Sequence, residues 1–347
     1  MDEHPIHHPG HNPGHYRGRA ERADGPPPSA TSVLLDPMSE RPGARFARRL
    51  RRHWYWARTE GLHRLIDEDD LHPLARSRAA AERYWWRRNH PIVAGTAVPV
   101  FLVGLQRSGT NMLTRGLDAS RQFQVYNENS RRAFRRFRVC DDATLRRLIG
   151  ASKSRFVLFK PLCDSHRVAE LLDLVGDGRG RAIWMFRSVD GRLRSAVSKF
   201  GDVNRRVLDA IAAGQGAGMW QAQAISDANV DFLRRFDYET MTAETAAALF
   251  WYVRHSLYFD LGLDQRSDTT IVSWDRLVAA PEPEMQALCR FLDLPFDQRL
   301  VADISPAHRG ERNPVTIDPA VRARCQELGQ RLAAAAEAAA QGGSRPA

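Results

Sequence analysis

The stretch Val98-Pro-Val-Phe-Leu-Val-Gly104-Leu-Gln-Arg-Ser-Gly109-Thr-Asn-Met-Leu constrains this chain more than any other. Its opening apolar run is short, rich in β-branched and aromatic residues, and closed by a glycine, which predicts a buried strand. A helical pattern follows through about Leu117. A strand, a glycine-framed turn and a helix N-terminus together make an anion site, because successive N–H groups converge there and the helix dipole adds positive charge. Comparable apolar runs stand at 156–159, 182–186 and 270–273, with a weaker one at 122–126. Helical stretches separate them, which predicts an α/β fold: a central, mostly parallel β-sheet flanked by helices.

Other elements are read around that frame. Residues 1–44 are rich in His, Pro and Gly and lack periodicity, so a disordered tail is expected. A helical extension is expected over 45–96, with one helix at about Leu74 to Arg88, followed by the main domain over 97–335 and a frayed end over 336–347. Within the extension, 41–60 carries seven arginines among Phe46, Trp54, Tyr55 and Trp56. Such a helix docks on its own domain more often than on an anionic membrane. Leu193 to Leu263 reads as mostly helical, and 281–292 and 319–340 as two further helices.

No apolar run approaches the ~20 residues of a membrane helix, and the N-terminus has no signal-peptide core. Four widely spaced cysteines (Cys140, Cys163, Cys289, Cys325) argue for reduced thiols rather than a disulfide scaffold or zinc ribbon. A cytoplasmic protein is expected. The net charge of +10 would suit a polyanion partner, but the basic residues are 48 arginines and only three lysines. That bias reads as base composition of the genome as much as selection, and no nucleic-acid partner is expected.

Gly104 and Gly109 have the spacing of a nucleotide phosphate loop, yet Thr110 and Asn111 follow where a kinase or ATPase has Lys and then Ser or Thr. The missing lysine would reach the β- and γ-phosphates, and the missing hydroxyl would help hold Mg²⁺. Instead Arg107 lies inside the loop. A site with one internal cation and no obvious metal ligand suits a 5′-phosphate bearing one transferable unit. A second site is read after the 182–186 strand, where Arg187 is followed eight positions later by Ser195. Arg187 lies at the carboxyl edge of a strand, where open α/β sheets bind ligands. Asp190 is expected to cap the next helix, with Ser195 about one turn inside it. Two phosphate sites imply a nucleotide carrying phosphates at both ends of its ribose.

Over roughly residues 97–330 the chain resembles the sulfotransferases that use 3′-phosphoadenosine 5′-phosphosulfate (PAPS), especially soluble bacterial ones. The loop Gly104-Leu-Gln-Arg-Ser-Gly-Thr-Asn111 is similar to the family's 5′-phosphosulfate loop, and Arg187 with Ser195 to its 3′-phosphate motif. Ser273-Trp-Asp-Arg-Leu-Val-Ala-Ala-Pro281 is similar to a third family stretch. Val189 departs from the family's usual proline. The resemblance implies a three-layer fold like that of P-loop nucleotide hydrolases, a PAPS donor, adenosine 3′,5′-bisphosphate as product, and no metal. It implies donor contacts from Arg107, Ser108, Gly109, Thr110, Asn111, Met112, Arg187, Ser195, Trp274 and Arg309. Trp274 is a neighbour of the adenine face or an ordinary core residue.

The same resemblance puts Lys160 near the transferring group and Arg107 at the leaving phosphate; the alternative for Lys160 is an exposed strand-end lysine. A base must take the acceptor's proton. Glu128 is favoured, His166 comes second and His255 third. Ordinary roles for them are a salt bridge from Glu128 to Arg131, Arg132 or Arg135, and a first-turn surface position for His166. Arg121 to Arg138 holds six arginines, read as a solvated helical face or a steering patch for anions. The acceptor is expected to be a small molecule or a glycan, with a carbohydrate or glycolipid favoured over a small phenol. Rival readings are a P-loop phosphotransferase and a non-catalytic nucleotide-binding module.

Overall fold

The computed structural model describes residues 73–304 and 313–342. The His-rich tail, the basic helix expected over 41–60, and Arg309 lie outside the described residues. The described chain runs α1 (Pro73–Asn89), β1 (Val98–Gly104), α2 (Thr110–Ala119), β2 (Phe123–Tyr126), β3 (Phe134–Arg135), β4 (Arg138–Val139) and α3 (Asp142–Gly150). It continues with β5 (Phe156–Phe159), α4 (Val168–Leu172), β6 (Arg181–Phe186), α5 (Val189–Phe200), α6 (Val203–Ala212), α7 (Asp227–Leu233) and α8 (Ala243–Asp260). The last elements are β7 (Thr269–Ser273), α9 (Trp274–Ala279), α10 (Pro281–Leu292) and α11 (Pro319–Ala340).

Five strands form one sheet in the order β2-β5-β1-β6-β7, and every pairing in it is parallel. Because strand side chains alternate, each central strand feeds two cores. Phe101 and Val103 of β1, with Trp184 and Phe186 of β6, face the layer built by α5, α6, α8 and α11. Val100 and Leu102, with Ile183 and Met185, face α2, α9 and α10. Burial on both faces explains why these strands read as continuous apolar runs. Helix α8 is apolar around most of its circumference, as a helix enclosed by sheet and neighbouring helices must be.

The order places β1 between β5 and β6, so the chain leaves β1 toward one half of the sheet and returns on the other. That reversal opens a crevice beyond the C-terminal end of β1, where ligands bind in open parallel sheets. Between β2 and α3 the chain does not make the solvated helix expected for the arginine-rich stretch. It forms a turn and the antiparallel hairpin β3–β4, whose tip residues Arg136 and Phe137 have φ of 51° and 67°. Asp164 accepts from Arg138 Nε at 2.6 Å and from the Val139 N–H at 2.8 Å, fixing the hairpin to the segment after β5.

Helix α1 docks through two ion pairs: its Arg83 with Asp118 at 2.9 Å, and its Glu82 with Arg121 at 3.4 Å. Helix α11 runs to Ala340 with Ala336 buried, so the packed structure extends past the boundary expected at 335. All four cysteines are buried free thiols. No described helix is long and apolar enough to cross a membrane.

Candidate functional site

All five parallel strands end at one edge, and each delivers part of the site. The exit of β1 is fixed by Gly104, whose φ of 120° and 2.2 Å gap between an added Cβ and the Met185 carbonyl oxygen exclude a side chain. Buried Ser165 accepts from the Gly104 N–H at 3.0 Å, tying the loop's first residue to the turn after β5. At the other end Gly109 has φ 84°, and a Cβ there would lie 1.9 Å from the Trp274 ring. Gly109 is also the N-cap of α2 and makes no side-chain cap bond, so no side chain caps the first-turn N–H groups. Ser108 is fully buried, and its Oγ has no hydrogen-bond partner.

Arg107 adopts φ 70°, a strained value for a residue with a side chain, and is exposed. Its Nε donates to Ser195 Oγ at 2.8 Å. The loop cation and the serine of the second motif, 88 residues apart, therefore meet in one crevice. Ser195 is the seventh residue of α5, deeper in the helix than one turn, because the helix begins at Val189. Arg187 follows β6 directly. Its Nε is buried without a partner, and burial chiefly lowers its pKa, with Arg107 acting in the same direction. Its guanidinium lies over the Trp274 ring at 5.6 Å, and its carbonyl accepts from Trp251 Nε1 at 2.9 Å.

Trp274 itself is only 6% exposed and joins the core beneath the loop. It packs against Gly109 and beneath the Arg187 guanidinium. Met112 likewise points into that core, and its N–H bonds to the Gly109 carbonyl at 3.0 Å, so its expected donor contact is not formed by its side chain. Thr110 is buried, and Asn111 is exposed at the mouth of the loop.

Lys160, at the end of β5, is 5% exposed rather than a surface lysine. Its Nζ donates to Asn111 Oδ1 at 2.5 Å and lies 3.4 Å from Glu128 Oε2. Glu128 follows β2, and its side chain is 17% exposed. Its ion pair is thus with Lys160, not with the arginines that follow it. Burial raises the Glu128 pKa, Lys160 opposes the rise by charge and hydrogen bonding, and Asp164 adds to it. A carboxylate made more basic and held within reach of the phosphate loop has the properties of a general base.

The two histidines do not. His166 lies half-buried in a 3-10 turn at Leu162–Arg167, with Nδ1 unpartnered. Burial, with Arg254, Arg138 and Arg167 nearby, lowers its pKa to about 3, so it is a neutral and very weak base rather than a surface residue. His255 is fully buried, and its Nδ1 accepts from Trp184 Nε1 at 3.2 Å. Burial, with Arg192 and Arg254 nearby, holds its pKa well below the usual value, and it belongs to the core.

Three further residues shape the site. Arg192, fully buried in α5, donates from Nε to the Gln106 carbonyl at 2.9 Å and from Nη1 to the Ala247 carbonyl at 3.3 Å. Its Nη2 has no partner, and burial lowers its pKa to about 9. It supports the loop from behind and adds positive charge. Asp275 accepts from the Ser188 N–H at 2.7 Å and from Ser188 Oγ at 3.0 Å, joining the ends of β6 and β7. Asp190 does not cap α5, since Ser188 is the N-cap residue. Asp190 instead accepts from Arg322 at 2.8 and 3.0 Å and from the Val315 N–H at 2.9 Å. Nothing in an arginine-rich sequence distinguishes Arg192 from its neighbours.

No protein-family model and no curated protein sequence matches the chain. Among solved structures, the sulfotransferase domain of the Synechococcus PCC 7002 olefin synthase matches with a TM-score of 0.42 and 14% identity, covering 70% of this chain and 97% of that one. A sulfotransferase from Alicyclobacillus acidocaldarius gives 0.40 and 13%, covering 72% and 97%. A sulfotransferase domain from the curacin biosynthetic pathway gives 0.40 and 13%, covering 68% and 98%. In structure, the chain is similar to sulfotransferase domains.

Proposed function

We propose that this chain transfers the sulfuryl group of PAPS to a hydroxyl or amine of an acceptor. The observation that carries the reading is the Arg107–Ser195 contact. It joins a phosphate loop to an arginine-serine site in one crevice, as a donor with phosphates on both ends of its ribose requires. The unpartnered Ser108 Oγ and Arg187 Nε are buried groups that such a donor would satisfy. Asn111, where a kinase keeps its metal-binding hydroxyl, is held instead by Lys160.

As PAPS is consumed, the acceptor oxygen or nitrogen bonds to sulfur while the bond from sulfur to the 5′-phosphate oxygen breaks. The acceptor's proton passes to Glu128, and the negative charge leaves on adenosine 3′,5′-bisphosphate. Arg107 and the loop N–H groups stabilise that charge, while Lys160 neutralises the transferring group and holds Glu128 in place. Transfer between loosely bonded partners needs positioning above all, which fixed strand ends supply.

Thermal stabilisation of the chain by adenosine 3′,5′-bisphosphate, compared with ADP and ATP-Mg²⁺, tests the reading. The bisphosphate is expected to raise the melting temperature selectively, and Arg187→Ala to weaken its binding by about 10–100-fold, the worth of one charge-assisted contact. Equal or greater stabilisation by ATP-Mg²⁺ in the wild type would move the assignment to phosphoryl transfer.

A further inference from the structure

Helix α1 reverses the usual arrangement of a surface helix, which buries apolar residues and exposes charged ones. Glu82, Arg83, Trp86 and Arg87 are half-buried, whereas Ala81, Tyr84, Trp85 and Arg88 are exposed. The second set has the i, i+3, i+4, i+7 spacing of a single face. Polar contacts hold the inward face: Arg83 pairs with Asp118, Glu82 with Arg121, and Arg87 Nη2 donates to the Phe123 carbonyl at 3.5 Å. On the outward face Tyr84 and Trp85 are 60% and 61% exposed, and they meet edge to face with centroids 5.8 Å apart. Among the described residues the exposed large apolar side chains are Tyr84, Trp85, Val93 and Phe137, so three of the four lie at 84–93. A lone exposed apolar side chain is ordinary, but a Tyr–Trp pair beside arginine is the composition of a contact surface.

Charge says what meets that surface. Over 73–96 the chain has five arginines and one acidic residue, Glu82, which Arg121 already pairs. The preceding sequence repeats the theme, since 41–60 has seven arginines, one acidic residue, and Phe46, Trp54, Tyr55 and Trp56. A second copy of the helix, or the chain's own 41–60 stretch, would therefore set like charge against like. An anionic surface would not. Tyr and Trp, apolar in body and polar at the tip, are the side chains that settle where hydrocarbon meets headgroups, and arginine binds phosphate.

We propose that the outward face of α1 docks on a membrane rich in anionic phospholipid. Tyr84 and Trp85 enter the headgroup region, and Arg88 pairs with lipid phosphate. The helix is not long and apolar enough to cross the bilayer, so it lies on the surface. The docking is independent of the sulfuryl-transfer reading, because none of these residues belongs to the crevice.

Co-sedimentation of the full chain with lipid vesicles tests the proposal. Vesicles of phosphatidylcholine alone are compared with vesicles holding about one-third phosphatidylglycerol, at about 0.15 M salt. Binding to the anionic vesicles is expected to be at least about tenfold stronger, since several arginines face them. The double variant Tyr84→Ser/Trp85→Ser should bind them about tenfold more weakly or worse, because it has lost the apolar area that enters the interface. Its melting temperature should be unchanged, because both side chains face outward. Arg88→Gln should cost about fivefold, and on anionic vesicles only. No binding of the wild type to either vesicle, or full binding by the double variant, overturns the proposal. A double variant that melts several degrees lower would give the face to the chain's own N-terminal sequence. A concentration-dependent dimer in sedimentation velocity, abolished in that variant, would give it to a second copy. Either result overturns membrane docking.

Discussion

Glu128→Gln is expected to lower the rate of sulfuryl transfer by about 10²–10⁴-fold while leaving the binding of adenosine 3′,5′-bisphosphate unchanged. Glutamine keeps the shape and loses the basic oxygen. The carboxyl is raised chiefly by burial, so in the wild type the charged form is gained at a higher pH than for an exposed glutamate. Because the base works as the carboxylate, the rate should climb with pH through that raised pKa and then level off. Lys160 is the cation that opposes the rise, through its charge and its hydrogen bond. Its replacement in Lys160→Met should therefore move the acid limb of the rate profile to higher pH, in addition to any loss of rate. A pH–rate profile of the three proteins decides the matter. An unmoved acid limb in Lys160→Met, together with a retained rate in Glu128→Gln, would remove Glu128 as the base.

The largest effect on stability should come from Gly109→Ala. An alanine there must hold φ near 84° and place its Cβ 1.9 Å from a tryptophan ring that is itself 6% exposed. Backbone strain and overpacking each cost of order 1–3 kcal/mol, so about 3 kcal/mol of destabilisation is expected. For a domain of this size that lowers the melting temperature by about 6–12 °C. The two residues are in contact, so their effects should not add: combined with Trp274→Phe, the alanine should cost at least ~1 kcal/mol less than it does alone. Chemical denaturation of the four proteins measures that coupling. Strict additivity would mean that the ring moves aside freely and does not shape the loop.

Much of the fold was legible because buried parallel strands leave an unambiguous trace. VPVFLV, FVLF and AIWMF are apolar at successive positions, as burial on both faces requires, and the structure places them side by side as β1, β5 and β6. The loop was legible for a related reason, since glycines framing a strand-to-helix turn have few other uses. What escaped the sequence depended on long-range pairing. Asp190 stands near a helix start and reads as a cap, but its partner Arg322 is 132 residues away. The arginines of 121–138 read as a helix face, but Asp164 gathers their end into a hairpin. Arg192 and Asp275 carry no local pattern at all. Their importance lies in what is missing or present across the crevice, and that exists only once the sheet has formed.

The clasp between Asp190 and Arg322 also has a consequence for synthesis. A ribosome delivers β1 to β7 before α11, so the parallel sheet and both cores can begin to assemble on the emerging chain. The helix carrying Ser195, and with it the start just after Arg187, stays unclasped until Arg322 has left the exit tunnel. The crevice is therefore completed by a helix made after the whole parallel sheet. Nascent chains halted before that helix should already possess the Gly104–Gly109 loop but leave the Arg187–Ser195 side of the crevice unclasped.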